Sequence, residues 1–132
     1  MKTFIDTSAL YAMLDADDRK HSRSLRAFDN LARQDAELVT TSYVLVEMHA
    51  LVQRRLGLRA VRAMHEELAP LLTVAWVDSV LHEAAVSRLL EEGRRKLSLV
   101  DCTSLELIER ERLDAAFAYD KHFQHAGVQI LG

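Results

Sequence analysis

Lys2-Thr3-Phe4-Ile5-Asp6-Thr7-Ser8-Ala9-Leu10-Tyr11-Ala12-Met13-Leu14 changes its hydrophobic period at one acid. Residues 2–5 read as a short extended segment, and Asp6 ends it. Beyond the acid, Ala9, Leu10, Met13 and Leu14 recur at helical spacing. Strand, acid and helix in immediate succession begin a βα unit, and the same alternation runs on through the chain. Leu38-Val39-Thr40 reads as a second strand, followed by Ser42 as the cap of a helix from Tyr43 to about Arg54. Leu72 to Val77 is the clearest strand by its branched and aromatic side chains, and Val80 to Leu90 the helix after it, stopped at Gly93. Further helices are expected from Asp17-Asp18, with Leu25, Phe28, Leu31 and Ala32 on one face, from Leu58 to Leu68, and from Ser98 to Ile108. Ala115–Tyr119 and Val128–Leu131 read as the last strands. Strands separated by helices imply a parallel sheet covered on both faces, an α/β fold with more helix than strand.

The 132 residues fit one domain, and folding a chain of that size hides about two-thirds of its unfolded surface. Hydrophobic residues make up 49% and charged residues 28%, the mixture of a globular protein and not of a disordered one. A single cysteine, Cys102, excludes a disulfide framework and fits a reducing, cytoplasmic setting. The opening segment, interrupted by Asp6 and without a small-residue cleavage pattern, makes a poor signal peptide. No membrane span is expected, since no stretch approaches the roughly 18 uncharged apolar residues it requires. With 17 basic and 20 acidic side chains the net charge is −3, so a general nucleic-acid coating role is excluded while a local basic patch is not.

Four acids stand out from those on polar helix faces. Asp6 follows the first strand directly, at the strand edge where open α/β sheets place their ligands, although a helix N-cap explains it equally well. Glu47 falls at helical spacing among Val44, Met48 and Leu51, so it faces the core unless its charge is needed there; an internal salt bridge to Arg54 is the alternative. Asp101 heads the apolar face continued by Leu105 and Ile108, and with Ser98 it also resembles a capping box. Asp120 ends the apolar run Ala115–Tyr119, where a turn residue also fits. One cause accounts for all four if they converge at the C-terminal edge of the sheet. Two like charges about 4 Å apart repel by roughly 4 kcal/mol at an effective dielectric near 20. Such a cluster therefore calls for raised pKa values or a bound cation, and oxygen ligands without thiolates or paired histidines select Mg²⁺ or Mn²⁺. All-carboxylate sites of this kind serve phosphate chemistry, in which the ion orients the phosphodiester and stabilises the leaving oxygen.

Four segments carry a resemblance to the PIN-domain family, and to its VapC-like toxin ribonucleases in particular: Phe4-Ile5-Asp6-Thr7-Ser8-Ala9-Leu10, Thr41–Glu47, Leu97–Ser104 and Ala116–Phe123. Asp17-Asp18 and His21 after the first segment are also typical. The resemblance spans essentially the whole chain, residues 1–132 as a single PIN domain. It implies a short parallel sheet sandwiched between helices and a Mg²⁺- or Mn²⁺-dependent endoribonuclease, the toxin of a type II toxin–antitoxin pair. By position, Asp6 and Asp101 would be the most direct metal ligands, and Glu47 and Asp120 would complete the pocket, directly or through water. Thr7 and Thr103 would orient those acids from behind. The resemblance further implies a homodimer and neutralisation by a small cognate antitoxin. Arg54 and Arg55, with Arg59 and Arg62 on the same acid-free stretch, and Arg94-Arg95-Lys96 ahead of the Asp101 segment are placed to hold RNA phosphates; a solvated helix face is their alternative.

Other chemistries fail on spacing. His65-Glu66-Glu67-Leu68-Ala69 and His82-Glu83-Ala84-Ala85-Val86 each lack the second histidine of a zinc hydrolase motif. His49, His122 and His125 read as surface or hydrogen-bonded residues. Ser42 and Ser98 have no glycine elbow, Cys102 beside Asp101 is a poor thiolate, and no Gly-rich phosphate loop is present. A signalling receiver domain would need paired acids after the first strand, and a phosphatase with an aspartate nucleophile would need an acid where Ser8 stands. A non-catalytic RNA- or protein-binding module on the same fold is the alternative of a different class.

Overall fold

A computed structural model describes residues 1–124 and 126–132, so the expectation for His125 lies outside the described residues. The described residues form five strands, β1 (Lys2–Ile5), β2 (Glu37–Thr41), β3 (Thr73–Ala75), β4 (Ala115–Phe117) and β5 (Gln129–Leu131), in one sheet of order β3-β2-β1-β4-β5. Every pairing is parallel. Six α-helices flank it: α1 (Thr7–Leu14), α2 (His21–Arg33), α3 (Ser42–Leu56), α4 (Leu58–Ala63), α5 (Ser79–Glu92) and α6 (Leu99–Arg110). The α/β expectation therefore holds, with β1 in the centre.

Central strands lie between layers and carry nearly continuous apolar runs. Phe4, Ile5, Ala115, Ala116 and Phe117 are all fully buried. The register sets Ile5 beside Phe117, so both strands end at the same height, and the Asp6 amide donates to the Phe117 carbonyl at 3.1 Å. Both acids that follow these strands are thereby brought to one edge. The short 3₁₀ turn Lys121–Phe123, which follows Asp120, is pinned by the buried Phe123, whose ring stacks on Phe4 at 5.9 Å.

Several boundaries differ from expectation. The strand expected over residues 72–77 shrinks to three residues, because β3 is an edge strand and Trp76 turns out to solvent, 76% exposed. The helix expected from Asp17 begins only at His21: the Asp15 carboxylate takes the Asp17 amide and Asp18 takes the Lys20 amide, which favours turns over helix. Of its expected apolar face, Leu31 is buried, but Leu25 and Ala32 are exposed. The helix expected over residues 58–68 is regular only to Ala63, then widens into a π-turn over Met64–Leu68, which buries Met64 and Leu68, before a 3₁₀ turn at Pro70.

Candidate active site

Asp6 is the N-cap of α1 and is only 3% exposed. Its Oδ2 accepts from the Ser8 hydroxyl at 2.7 Å and from the Ser8 amide at 3.2 Å. Burial raises its pKa to about 6; the Ser8 hydrogen bonds work against that rise and the nearby Asp101 charge adds to it. Asp101 is half-buried in the first turn of α6 and shares a reciprocal capping box with Ser98, whose hydroxyl accepts from the Asp101 amide at 3.0 Å. Asp120 caps the 3₁₀ turn by accepting from the His122 amide at 3.0 Å. The capping explanation thus holds for all three acids, and Asp101 is near enough for its charge to act on Asp6. A cap fixes the carboxylate on the backbone without adding a positive side chain.

Asp101, Asp120 and His122 each offer one ligand atom within 4.8 Å of the others. Oxygen atoms bound to one small divalent ion, each about 2.0–2.6 Å from it, lie within such a span. No lysine or arginine pairs with Asp6, Asp101 or Asp120 among the described residues, so the donor set fits a divalent cation. His122 is the residue that the sequence pattern missed, since it comes together with Asp101 only through the fold. Its Nε2 lies 3.5 Å from Asp120 Oδ1 and 3.9 Å from Asp101 Oδ2, and it donates to the Lys96 carbonyl at 3.1 Å. A nitrogen bonded to a carbonyl carries a hydrogen, so this imidazole edge is a donor facing two carboxylates. It was expected to be hydrogen-bonded, and it is; its position among the acids was not expected.

Glu47 lies outside that group. It is half-buried on α3 beside the buried Met48, and the salt bridge to Arg54 does not form. The orienting threonines also need correction. The Thr103 hydroxyl donates to the Leu99 carbonyl at 2.8 Å, one helical turn back, and the buried Thr7 hydroxyl has no partner among the described residues. Orientation of Asp6 falls to Ser8, whose hydroxyl also accepts from the Tyr119 amide at 2.9 Å and so ties the ends of β1 and β4 together. A short serine inside the first motif carries no spacing signal that would have singled it out. Of the basic residues, Arg54, Arg55, Arg94, Arg95 and Lys96 are all exposed; Arg94 pairs with Glu92 at 3.0 Å, and the Arg55 guanidinium lies over the Tyr11 ring at 5.4 Å. Cys102 is buried, and burial pushes its thiol pKa up, away from nucleophilic use.

The PIN domain family model matches residues 3–129, which takes in all four acids. The chain belongs to the PIN domain family. It is 33% identical over 125 residues to the 23S rRNA-specific endonuclease VapC20 of Mycobacterium tuberculosis, covering 94% of this chain and 93% of that protein. It is also 31% identical over 121 residues to the Ribonuclease VapC26 of the same organism, covering 90% of this chain and 87% of the relative. The crystal structure of VapC20, described as a sarcin–ricin loop cleaving toxin, superposes with a TM-score of 0.84 over 96% of this chain and 95% of that one. The VapBC2 complex from Rickettsia felis, bound to a DNA fragment from its promoter, shares the fold at 12% identity, with a TM-score of 0.70 over 98% of this PIN chain and 97% of the matched one. None of the described helices is long and apolar enough to cross a membrane.

Proposed function

We propose that this PIN domain is an endoribonuclease that depends on Mg²⁺ or Mn²⁺ and acts as the toxin of a toxin–antitoxin pair. The observation that carries the proposal is the set of carboxylates at the C-terminal edge of the sheet, held by caps and left without a lysine or arginine partner among the described residues. In a chain a third identical to an RNA-cleaving toxin, that arrangement has a purpose. Asp101 and Asp120 would hold the ion, with Asp6 beside them and Glu47 reaching it through water. A divalent ion bound there supplies Lewis acidity toward the scissile phosphodiester. The chain's own groups do the rest. Ser8 holds the Asp6 carboxylate by two hydrogen bonds, and the Ser98 capping box fixes the start of α6 and with it Asp101. His122 bridges the Asp120 turn to the Lys96 carbonyl, just ahead of the α6 turn that carries Asp101. Arg94, Arg95 and Lys96 directly precede α6, and Arg54 and Arg55 close α3, where they would hold RNA phosphates. The relatives named above support an RNA substrate and a cognate antitoxin partner; assembly as a homodimer belongs to the same proposal.

The test is cleavage of RNA by the purified chain and by Asp101→Asn. Asn keeps the size and the capping oxygen but loses the charge that an ion requires. The variant is expected to fold as the parent does and to cleave at least about a thousandfold more slowly, equivalent to roughly 4 kcal/mol in the barrier. Cleavage by the variant at the parent rate would reduce Asp101 to a cap.

A further inference from the structure

An open cleft of about 610 Å³ begins where the acids end, lined by Thr7, Ser8 and Tyr119, the chain neighbours of Asp6 and Asp120. We propose that this cleft seats the RNA backbone next to the bond that is cut, with Lys20 and Arg55 as the groups that hold its phosphates. The proposal rests on the endoribonuclease function above and extends it to a binding site of its own.

The cations are the first argument. Lys20 Nζ lies 4.5 Å over the Tyr119 ring, and the Arg55 guanidinium lies 5.4 Å over the Tyr11 ring. Neither makes an ion pair among the described residues, whereas Arg33, Arg62, Arg88, Arg94 and Arg110 all do. Acids are at hand, for three carboxylates line the cleft with three cations. Two of those acids are spent on their own loop: Asp15 accepts from the Tyr11 hydroxyl at 2.7 Å and from the Asp17 amide at 2.9 Å, and Asp18 accepts from the Lys20 amide at 2.8 Å. A cation seated on a ring face is held by the ring's quadrupole and keeps N–H donors free for an anion. Lys20 and Arg55 are therefore held at the cleft without a direct ion pair, although the Arg55 charge is felt by Asp15 across it.

Position relative to the acids is the second. Ser8 Oγ donates to Asp6 and accepts from the Tyr119 amide, so one wall of the cleft is bonded directly to an acid of the candidate site. Thr7, on the same wall, keeps a buried hydroxyl with no partner among the described residues.

The third argument decides what part of the RNA is held. Lys20 and Arg23 both occupy the face region of the Tyr119 ring, at 4.5 and 5.2 Å, and the Tyr119 hydroxyl accepts from Ser24 at 2.8 Å. A ring so covered is no stacking platform for a base. The contact is with the backbone, and it positions RNA without reading sequence. Three acids and three cations also leave the lining near neutral, so the cations act at contact and not by long-range steering.

The experiment measures RNA affinity against salt, in the full chain carrying Asp101→Asn so that the probe stays whole. Two fluorescent RNA hairpins with unrelated loop sequences serve as probes. Lys20→Gln and Arg55→Gln are each expected to lower the slope of log affinity against log salt by about 1, and the double variant by about 2, equally for both hairpins. Arg33→Gln, whose guanidinium pairs with Asp29 on α2, is the control and leaves the slope in place. Wild-type cleavage of the same hairpins runs alongside and tests the endoribonuclease function separately. Cleavage with slopes unchanged in the Gln variants overturns the cleft alone; absence of both cleavage and binding overturns the function and the cleft together.

Discussion

Two groups of carboxylates in this molecule are treated in opposite ways. Along the seam between α5 and α6, Arg88 takes Glu92, Glu106 and Glu109 at 3.4, 3.3 and 3.0 Å, with its own side chain only 18% exposed. At the C-terminal edge of the sheet, Asp6, Asp101 and Asp120 have backbone caps and a histidine but no lysine or arginine partner among the described residues. The seam is a finished electrostatic structure, whose charges are answered within the fold. The sheet edge is unfinished, since burial has raised the pKa of Asp6, and hydrogen bonds from Ser8 and Thr7 offset that rise only in part. A fold that supplies arginine to one acidic group and withholds it from another leaves the second with a carboxylate and histidine cluster that could take a cation from outside.

The comparison predicts opposite signs for neutralising an acid at the edge and removing the cation at the seam. With an unfolded value of 3.8 and a folded value of about 6, Asp6 binds its proton more tightly in the folded chain. Its contribution to stability is complete below the unfolded pKa, falls as pH rises between the two values, and is lost above about 6. In EDTA, wild type should therefore lose on the order of 3 kcal/mol relative to Asp6→Asn between pH 4 and pH 7. Urea melts at both pH values read this gap directly. A gap that does not move with pH would place Asp6 with the compensated acids.

A smaller effect of the other kind is expected at the seam. Arg88→Met keeps helix propensity and the apolar stem but leaves three glutamates facing one another. Because the network is only partly buried, the loss should be about 1–2 kcal/mol, reduced by added salt, with the cleavage rate per folded molecule unchanged. A fall in cleavage beyond the loss of folded protein would break the separation between the two regions. The smallest change in stability is expected at Glu47, which is half-buried and unpaired among the described residues. Glu47→Gln in EDTA should stay within about 0.5 kcal/mol of wild type while cation affinity drops. A loss several times larger would show that the carboxylate has a structural partner.

What the sequence reveals follows how local each signal is. Asp6 is legible because a strand, an acid and a helix succeed one another within nine residues, and the order of strands and helices is legible for the same reason. Asp101 is legible as the head of an apolar helical face. Ser8 and His122 are not. Serine is small and common at helix starts, and His122 meets Asp101 only when β4 and α6 are brought side by side, across 21 positions of chain. Glu47 shows the converse error: a 3.6-residue period places it near the apolar stripe, but half-burial on its shoulder needs no partner. The end of β3 at Ala75 was hidden because Trp76 and Val77 have strand propensity, whereas an edge strand with one neighbour has no second ladder to hold them.

The central claim is that the unpartnered acids form a metal-dependent centre for RNA cleavage. Its most direct test is cleavage of an RNA hairpin by metal-stripped protein, with Mn²⁺ or Mg²⁺ titrated back. No cleavage in EDTA, an unchanged far-UV circular dichroism spectrum, and recovery of cleavage with added Mn²⁺ or Mg²⁺ in wild type but not in Asp101→Asn is the predicted result. Cleavage that persists at full rate in EDTA would contradict it.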